Sequence, residues 1–257
     1  SGDETSADTQ AADAETTDAE TTDASKTDGT FTVGFDQDFP PMGFVGDDGE
    51  FTGFDLEMAA EVAKRLNLMI AYQPIAWDAK DMELDAGTID CIWNGFTMNG
   101  REDDYEWSKP YMKNNQVFVV RGDSDINSEA DLAGKNVEVQ TDSSAEAALN
   151  DNSELTSTFG SLTPVADYNT AFMDLESGAV DAIAMDDVVA SYQITSRKAD
   201  FKVLDDVIAA EEYGIGFKKG NTGLRDKVQA TLEEMAADGT AAKISEKWFG
   251  KDITTIQ

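Results

Sequence analysis

Two residues of opposite charge have the chemistry to hold a small charged ligand. Arg101 is one of five arginines in a chain with 52 Asp plus Glu against 19 Lys plus Arg, and it lies in the stretch "NGFTMNGRED". A planar guanidinium grips a carboxylate through two parallel hydrogen bonds. The plain alternative is an ion pair with Glu102, Asp103 or Asp104, which contributes under about 1 kcal/mol when exposed. Asp186 follows the apolar run "DAIAM" and suits an ammonium, or else caps a helix in water beside Asp187. Facing each other across a cleft, Arg101 and Asp186 fit the zwitterionic head of an α-amino acid. The stretch "DSSAEAAL" carries a capping box from Ser143 to Glu146. The same helix start, with the Ser143 or Ser144 hydroxyl, also offers donors to an anion. Phe39 and Trp77 either wall such a cleft or belong to a core.

Composition removes several kinds of chemistry. The chain has no histidine, so Ser/His/Asp, Cys/His and His-zinc sites are out, and no metal or other cofactor is indicated. Its single cysteine, Cys91, sits in the apolar run "DCIW" and reads as a small buried hydrophobe. A formal charge of −33 argues against nucleic acid and against electrostatic docking to anionic lipid. Small molecules and proteins are the expected partners of a monomer. No apolar run approaches the ~18 residues of a membrane span, and the chain reads as processed. Its first 30 residues hold nine carboxylates and one lysine, with no aromatic, Val, Ile or Leu. Such a segment cannot bury enough to fold, which predicts a disordered acidic tether over 1–30.

The elements that must position these residues begin at Phe31. "FTVGFD" alternates Phe31, Val33 and Phe35 as a strand. A Pro-Pro turn and a hairpin-like "GDDGEFTGF" follow. A helix then places Leu56, Ala59, Ala60, Ala63 and Leu66 on one face. Strands are predicted at 90–93, 117–120, 136–140 and 181–185, alternating with helices, which argues an α/β fold with largely parallel sheets. An internal match sharpens this: "WDAKDMELDAGTIDCI" and "YNTAFMDLESGAVDAI" align without gaps, each with a glycine (Gly87, Gly178) suited to ending a helix before a buried strand. Two similarly built lobes are expected. Two further helices near the C-terminus carry Leu224, Val228, Leu232 and Met235, then Ile244 and Trp248, and are closed by Gly239 and Gly250.

Ligands of open α/β sheets bind beyond the carboxyl ends of strands. That rule selects Asp36 after the first strand, Asn94, Gly95, Phe96 and Thr97 after "DCIW", and Thr141 to Ser144 after "NVEVQ". Asp186 follows "DAIAM" in the same way.

Six stretches then carry a resemblance, in order: "VGFDQDFPPMGF", "GEFTGFDLEMAAEVAKRL", "NGFTMNGRE", "WSKPYM", "LESGAVDAIAMDD" and "YGIGFKKGNTGLRDKV" running on to "DGTAAKISEKWFG". Together, over 31–251, they resemble the extracytoplasmic amino-acid-binding proteins of ABC transporters, the glutamine-binding branch above all. The resemblance implies a type II periplasmic-binding-protein-like fold, two α/β lobes joined by two hinge strands. Lobe 1 would be 31–112 with 213–257, and lobe 2 would be 113–212. It also implies that Arg101, Thr97, the Gly95 backbone and Ser143 or Ser144 bind a ligand carboxylate, while Asp186 and the Gly95 carbonyl take its ammonium. Phe39 and Trp77 would cover the side chain, with Asp36, Asn94 and Gln140 near its polar end. By the same resemblance the ligand is an L-amino acid, and Asp36, Asn94 and Gln140 suggest that its side chain is polar or cationic. The partner is an ABC permease, and the acidic tether follows a lipidated cysteine outside the membrane.

The chain departs from the family pattern in three places. The loop before Arg101 is one residue short, Asp142-Ser143 stands where the family has Gly-Thr, and Gln140 replaces the lysine of glutamine binders. Two other functions are compatible with the same lobes. An enzyme of prephenate or arogenate dehydratase type would need a carboxylate such as Asp36 as its general acid. A sensor or adhesion module would need no chemistry at all.

Overall fold

A computed structural model describes residues 29–257. The acidic tether predicted over 1–30 lies outside the described residues but for its last two. In chain order the elements are β1 (Thr30–Phe35), β2 (Asp38–Phe39), β3 (Gly43–Val45), β4 (Phe51–Thr52), α1 (Phe54–Arg65), β5 (Met69–Pro74), α2 (Lys80–Ala86), β6 (Cys91–Thr97) and β7 (Glu106–Trp107). They continue with β8 (Met112–Arg121), β9 (Asn136–Gln140), α3 (Ser144–Asn150), α4 (Ser153–Thr156), β10 (Ser161–Val165), α5 (Tyr168–Ser177), β11 (Ala182–Asp186), α6 (Asp187–Arg197) and β12 (Phe201–Phe217). Helices α7 (Thr222–Ala237) and α8 (Thr240–Phe249) end the chain.

The main sheet runs β10-β9-β11-β8-β12-β6-β1-β5, with β7 beside β12, and β2, β3 and β4 form a small separate sheet. At one end β1 pairs in parallel with β5 and β6; at the other, β9 pairs in parallel with β10 and β11. The centre differs from the largely parallel expectation, because β8 and β12 are antiparallel to each other and to β11 and β6 respectively. The reversal sets the site. Strand β12 pairs with β8 from Phe201 to Tyr213, then with β6 from Tyr213 to Phe217. Its direction forces the two parallel sets to run toward each other: Thr97, at the end of β6, stands opposite Tyr213, and Asp186, at the end of β11, stands opposite Gln116, itself opposite Ala209. Those points, Ala209 and Tyr213, are four residue steps apart along β12, about 13 Å.

The internal match is visible as structure. Gly87 (φ 79°) and Gly178 (φ 87°) both cap their helices in the left-handed region, where a side chain would be strained. Strands β6 and β11 follow. The copies differ at their start, since α5 is continuous from Tyr168 whereas Trp77–Ala79 forms a separate 3₁₀ turn before α2. The hydrophobic face of α1 is broader than its periodicity suggests: Met58 and Val62 are buried with Leu56, Ala59 and Ala63, while Ala60 and Leu66 are only half-buried. The helix is packed on two sides, against β5 and β6 and against α7 and α8. Phe31, Val33, Phe35, Cys91 and the predicted face of α7 are all fully buried. Strands β5, β7, β10 and β12 were not expected from the sequence, and β6 extends past "DCIW" to Thr97. Asn94 to Thr97 therefore lie on the strand, not beyond it.

Candidate functional site

Where the two sets of strands meet, a small cavity is lined by Asp36, Phe39, Trp77, Asn94, Gly95, Thr97, Arg101, Gln140, Ser143, Ser144 and Asp186. Eleven of the twelve residues expected at the site are thus together. The exception is Phe96. Strand β6 is irregular between Ile92 and Phe96, where its register with β12 shifts and Gly95 takes φ 54°; Phe96 points away from the cavity and packs against Trp77, Tyr105 and Trp107. It still bears on the site, because the Arg101 guanidinium lies 4.9 Å from its ring centroid.

Arg101 does not pair with its acidic neighbours in the way an ordinary surface arginine would. Its Nη1 donates to the Thr97 carbonyl (3.1 Å) and Ser144 Oγ (2.9 Å), and its Nη2 to the Asp142 carbonyl (3.1 Å). Glu102 accepts instead from the Gly100 N–H. The shortened loop is a tight turn, closed by Arg101 N–H on the Met98 carbonyl with Gly100 at φ 87°. It directs the side chain across to the start of α3.

That start is built differently from the sequence expectation. Ser143 Oγ accepts from the Glu146 N–H, as a capping box requires, but the Glu146 carboxylate reaches back to the N–H of Asp142 and not of Ser143. Asp142 adopts φ 61°, a conformation that aspartate tolerates better than most residues. Its carboxylate is turned away from the cavity and bonds Lys80 Nζ at 2.5 Å. The cost of an acid beside an anion site is removed by that pairing. Lys80 and Trp77 precede β6, so the pair, with Trp77 Nε1 donating to the Asp142 carbonyl (3.2 Å), ties the two sides of the cleft together.

At the opposite corner Asp186 is buried. Its Oδ2 accepts from Tyr213 Oη (2.6 Å) and Asn114 Nδ2 (3.1 Å). Burial, and then the nearby Glu211 carboxylate, push its carboxyl up to about 7. Asp36, at the third corner, accepts from Gln140 Nε2 (2.9 Å) and the Asp38 N–H (2.9 Å), and burial raises it to about 6. Asn94 Oδ1 accepts from the Asp36 N–H (3.1 Å), while its buried Nδ2 has no protein partner. That is an open donor beside the cavity. Gly95 lies between the corners at φ 54°, and a Cβ there would come within 3.0 Å of Phe39 and 3.3 Å of Tyr213. Its N–H donates to Asp55 Oδ2 (2.6 Å), whose Oδ1 takes Tyr111 Oη (2.7 Å). Burial lifts Asp55 to about 7.

Asp55, Lys80, Asn114, Gln116, Glu211 and Tyr213 support the site without having been expected there. Asp55, Lys80 and Tyr213 fall within the sequence motifs of the first lobe, whereas Asn114, Gln116 and Glu211 fall in none. Among the described residues no cluster of His, Cys, Asp or Glu could hold a metal, and no helix is long and apolar enough to cross a membrane.

Residues 31–251 match the bacterial extracellular solute-binding proteins, family 3. The chain belongs to this family. It is similar to the L-cystine-binding protein TcyJ of Escherichia coli (strain K12), 34% identical over 228 residues that span 88% of this chain and 84% of the relative. A substrate-binding protein of an ABC uptake transporter from Streptococcus pneumoniae, solved with bound histidine, superposes at a TM-score of 0.88 with 33% identity, covering 93% of this chain and 99% of that one. An ancestral arginine-binding protein bound to glutamine gives a TM-score of 0.80 and 36% identity, covering 87% and 99%. The architecture is the two-lobe, type II fold of periplasmic binding proteins, and these relatives bind solutes.

Proposed function

We propose that this solute-binding protein captures an L-α-amino acid between its lobes and delivers it to an ABC permease outside the cytoplasm, as a monomer and with no covalent chemistry. The observation that carries this reading is the arrival of Arg101 and Asp186 at one cavity from opposite sides of the β8–β12 junction. Arg101, with the Thr97 and Ser144 hydroxyls and Ser143, would hold the ligand carboxylate, whereas the Gly95 N–H is committed to Asp55. Asp186 and the Gly95 carbonyl would hold the ammonium, and Phe39 and Trp77 would cover the aliphatic stem. A change of β12 partner at Tyr213 supports lobes of 31–112 with 213–257 and of 113–212.

Asp36, Asn94 and Gln140 are left for the distal end of the ligand. Asp167 adds negative charge next to Asp36 and Asp38, which favours a polar or cationic side chain over an acidic one. Relatives named for cystine, or solved with histidine or glutamine, carry such groups. A thermal-shift screen of the twenty amino acids and cystine tests the class. A ligand at 100 times its Kd stabilises by about 2.7 kcal/mol, and the absence of any shift would remove the amino-acid reading.

A further inference from the structure

A second carboxylate is buried beside the cleft, and the zwitterion clamp does not use it. Glu211, on β12, is 7% exposed. Its Oε1 accepts three hydrogen bonds, from Thr97 Oγ1 (2.6 Å), Asn114 Nδ2 (2.8 Å) and Gln116 Nε2 (2.5 Å). The same Asn114 amide donates to Asp186, so one donor group links the two acids. Tyr213 and Tyr168 face Asp186, with Asp187 behind it. Arg101 draws Glu211 toward ionisation, while Lys80 is committed to Asp142 and Glu146 to the Asp142 N–H. Burial is the largest influence on both acids and raises both, against the three donors and Arg101 that favour an ionised Glu211, so the empty pair keeps a proton to higher pH than two free carboxylates would.

A threonine hydroxyl has one proton to give. While Glu211 is ionised, that proton is committed to Glu211, and Thr97 can offer a ligand carboxylate only lone pairs. Once Glu211 is protonated, its own O–H can donate to Thr97 Oγ1 and the threonine proton is free to turn into the cavity. A bound ammonium keeps Asp186 ionised, which leaves Glu211 as the member of the pair able to carry the proton. The geometry points to Glu211 as a positioning residue of the ligand site: protonated in the complex, it aims the Thr97 hydroxyl at the ligand carboxylate. This rests on the amino-acid reading of the cleft. A zwitterion places one charge of each sign near Glu211, so the direct Coulomb effects on ligand affinity oppose each other. The hydrogen bond through Thr97 then decides the sign. Affinity is full while Glu211 is protonated in the complex and is lost as pH rises through its titration.

The test is calorimetric titration with L-arginine, L-histidine, L-glutamine and L-cystine between pH 6 and 8.5, on the parent and on Glu211→Gln and Glu211→Ala. One hydrogen bond to a charged group corresponds to about tenfold in Kd. The parent should weaken by about that factor across the range. The Gln variant, whose amide can donate to Thr97 at any pH, should show a flat profile, and the Ala variant should bind more weakly throughout. Titrations of the parent at pH 8 in buffers of different ionisation heat should show proton uptake on binding. If the Gln variant keeps the parent's pH slope, or the parent releases protons at pH 8, the role given to Glu211 is wrong while the amino-acid reading stands. If neither these four probes nor any other amino acid of the thermal-shift screen binds the parent, both fail together.

Discussion

The two charged corners of the cleft are built on opposite plans. At the Arg101 corner the guanidinium is half-buried, rests on the Phe96 ring and is satisfied by neutral acceptors, two carbonyls and a hydroxyl. At the Asp186 corner the carboxylate is fully enclosed, beside a second acid, with only neutral donors. Neither charge is neutralised by a partner of opposite sign. The acidic neighbours that could quench Arg101 point elsewhere, and the lysine that could quench an acid is taken by Asp142. Each corner therefore has its strongest interaction still to make, which is what a site for a zwitterion requires.

Breaking either corner should have the largest effect. Arg101→Ala is expected to weaken binding by at least about 30-fold, since removing one partner of an enclosed charge pair costs about 2–5 kcal/mol. Asp186→Asn should weaken it comparably yet raise the thermal stability of the ligand-free protein at pH 8, because an uncompensated buried carboxylate is removed. The arginine substitution should bring no such gain. Calorimetry and thermal denaturation of both variants check the asymmetry.

A titration of stability sharpens the same contrast. Asp36, Asp55 and Asp186 are raised from 3.8 to about 6, 7 and 7 in the folded protein. Folded pKa values above unfolded ones mean that the native state binds more protons between about pH 4 and 7. Their contribution is present at the acid end of that window and is lost as pH rises through it. Denaturant unfolding of the ligand-free protein should show stability falling from pH 5 to pH 8, and Asp186→Asn should flatten part of the slope.

Smaller effects belong to the ties between the corners. Lys80→Met removes the bond to Asp142 across the cleft, and a two- to fivefold loss of affinity, about 0.4–1 kcal/mol, is expected with a larger ligand-free radius of gyration in solution scattering. Phe96→Leu removes the platform under Arg101 and should cost about 0.5–1 kcal/mol of binding, with the ligand preference unchanged.

The residues legible in the sequence were those at strand ends. Asp36, Arg101, Gln140 and Asp186 follow apolar runs whose termini can be read locally, and the internal match places the first lobe's Arg101 against the second lobe's Asp186. Phe96 lies away from the cavity because the strand runs on through Thr97 and buries that ring in a core cluster on its other side. The supporting residues were hidden for another reason. Glu211 meets Thr97, Asn114 and Gln116 across 95 to 114 positions of sequence, a juxtaposition set by the registers of β12 with β6 and β8. Strand β12 itself carries Asp205, Asp206, Glu211 and Glu212 and shows no apolar alternation that would announce it. Likewise the partner that turns the Asp142 carboxylate aside, Lys80, is brought to it by folding from 62 positions away.

The proposed site depends on a double grip on both charges of an amino-acid head. Its most direct test is calorimetry of the tightest-binding amino acid beside its primary amide and its N-acetyl derivative, at one pH and salt. Loss of either head charge should weaken binding by at least 100-fold, with the amide's residual affinity insensitive to Arg101→Ala and the acetyl derivative's insensitive to Asp186→Asn. Parent-like affinity for either derivative would contradict the clamp.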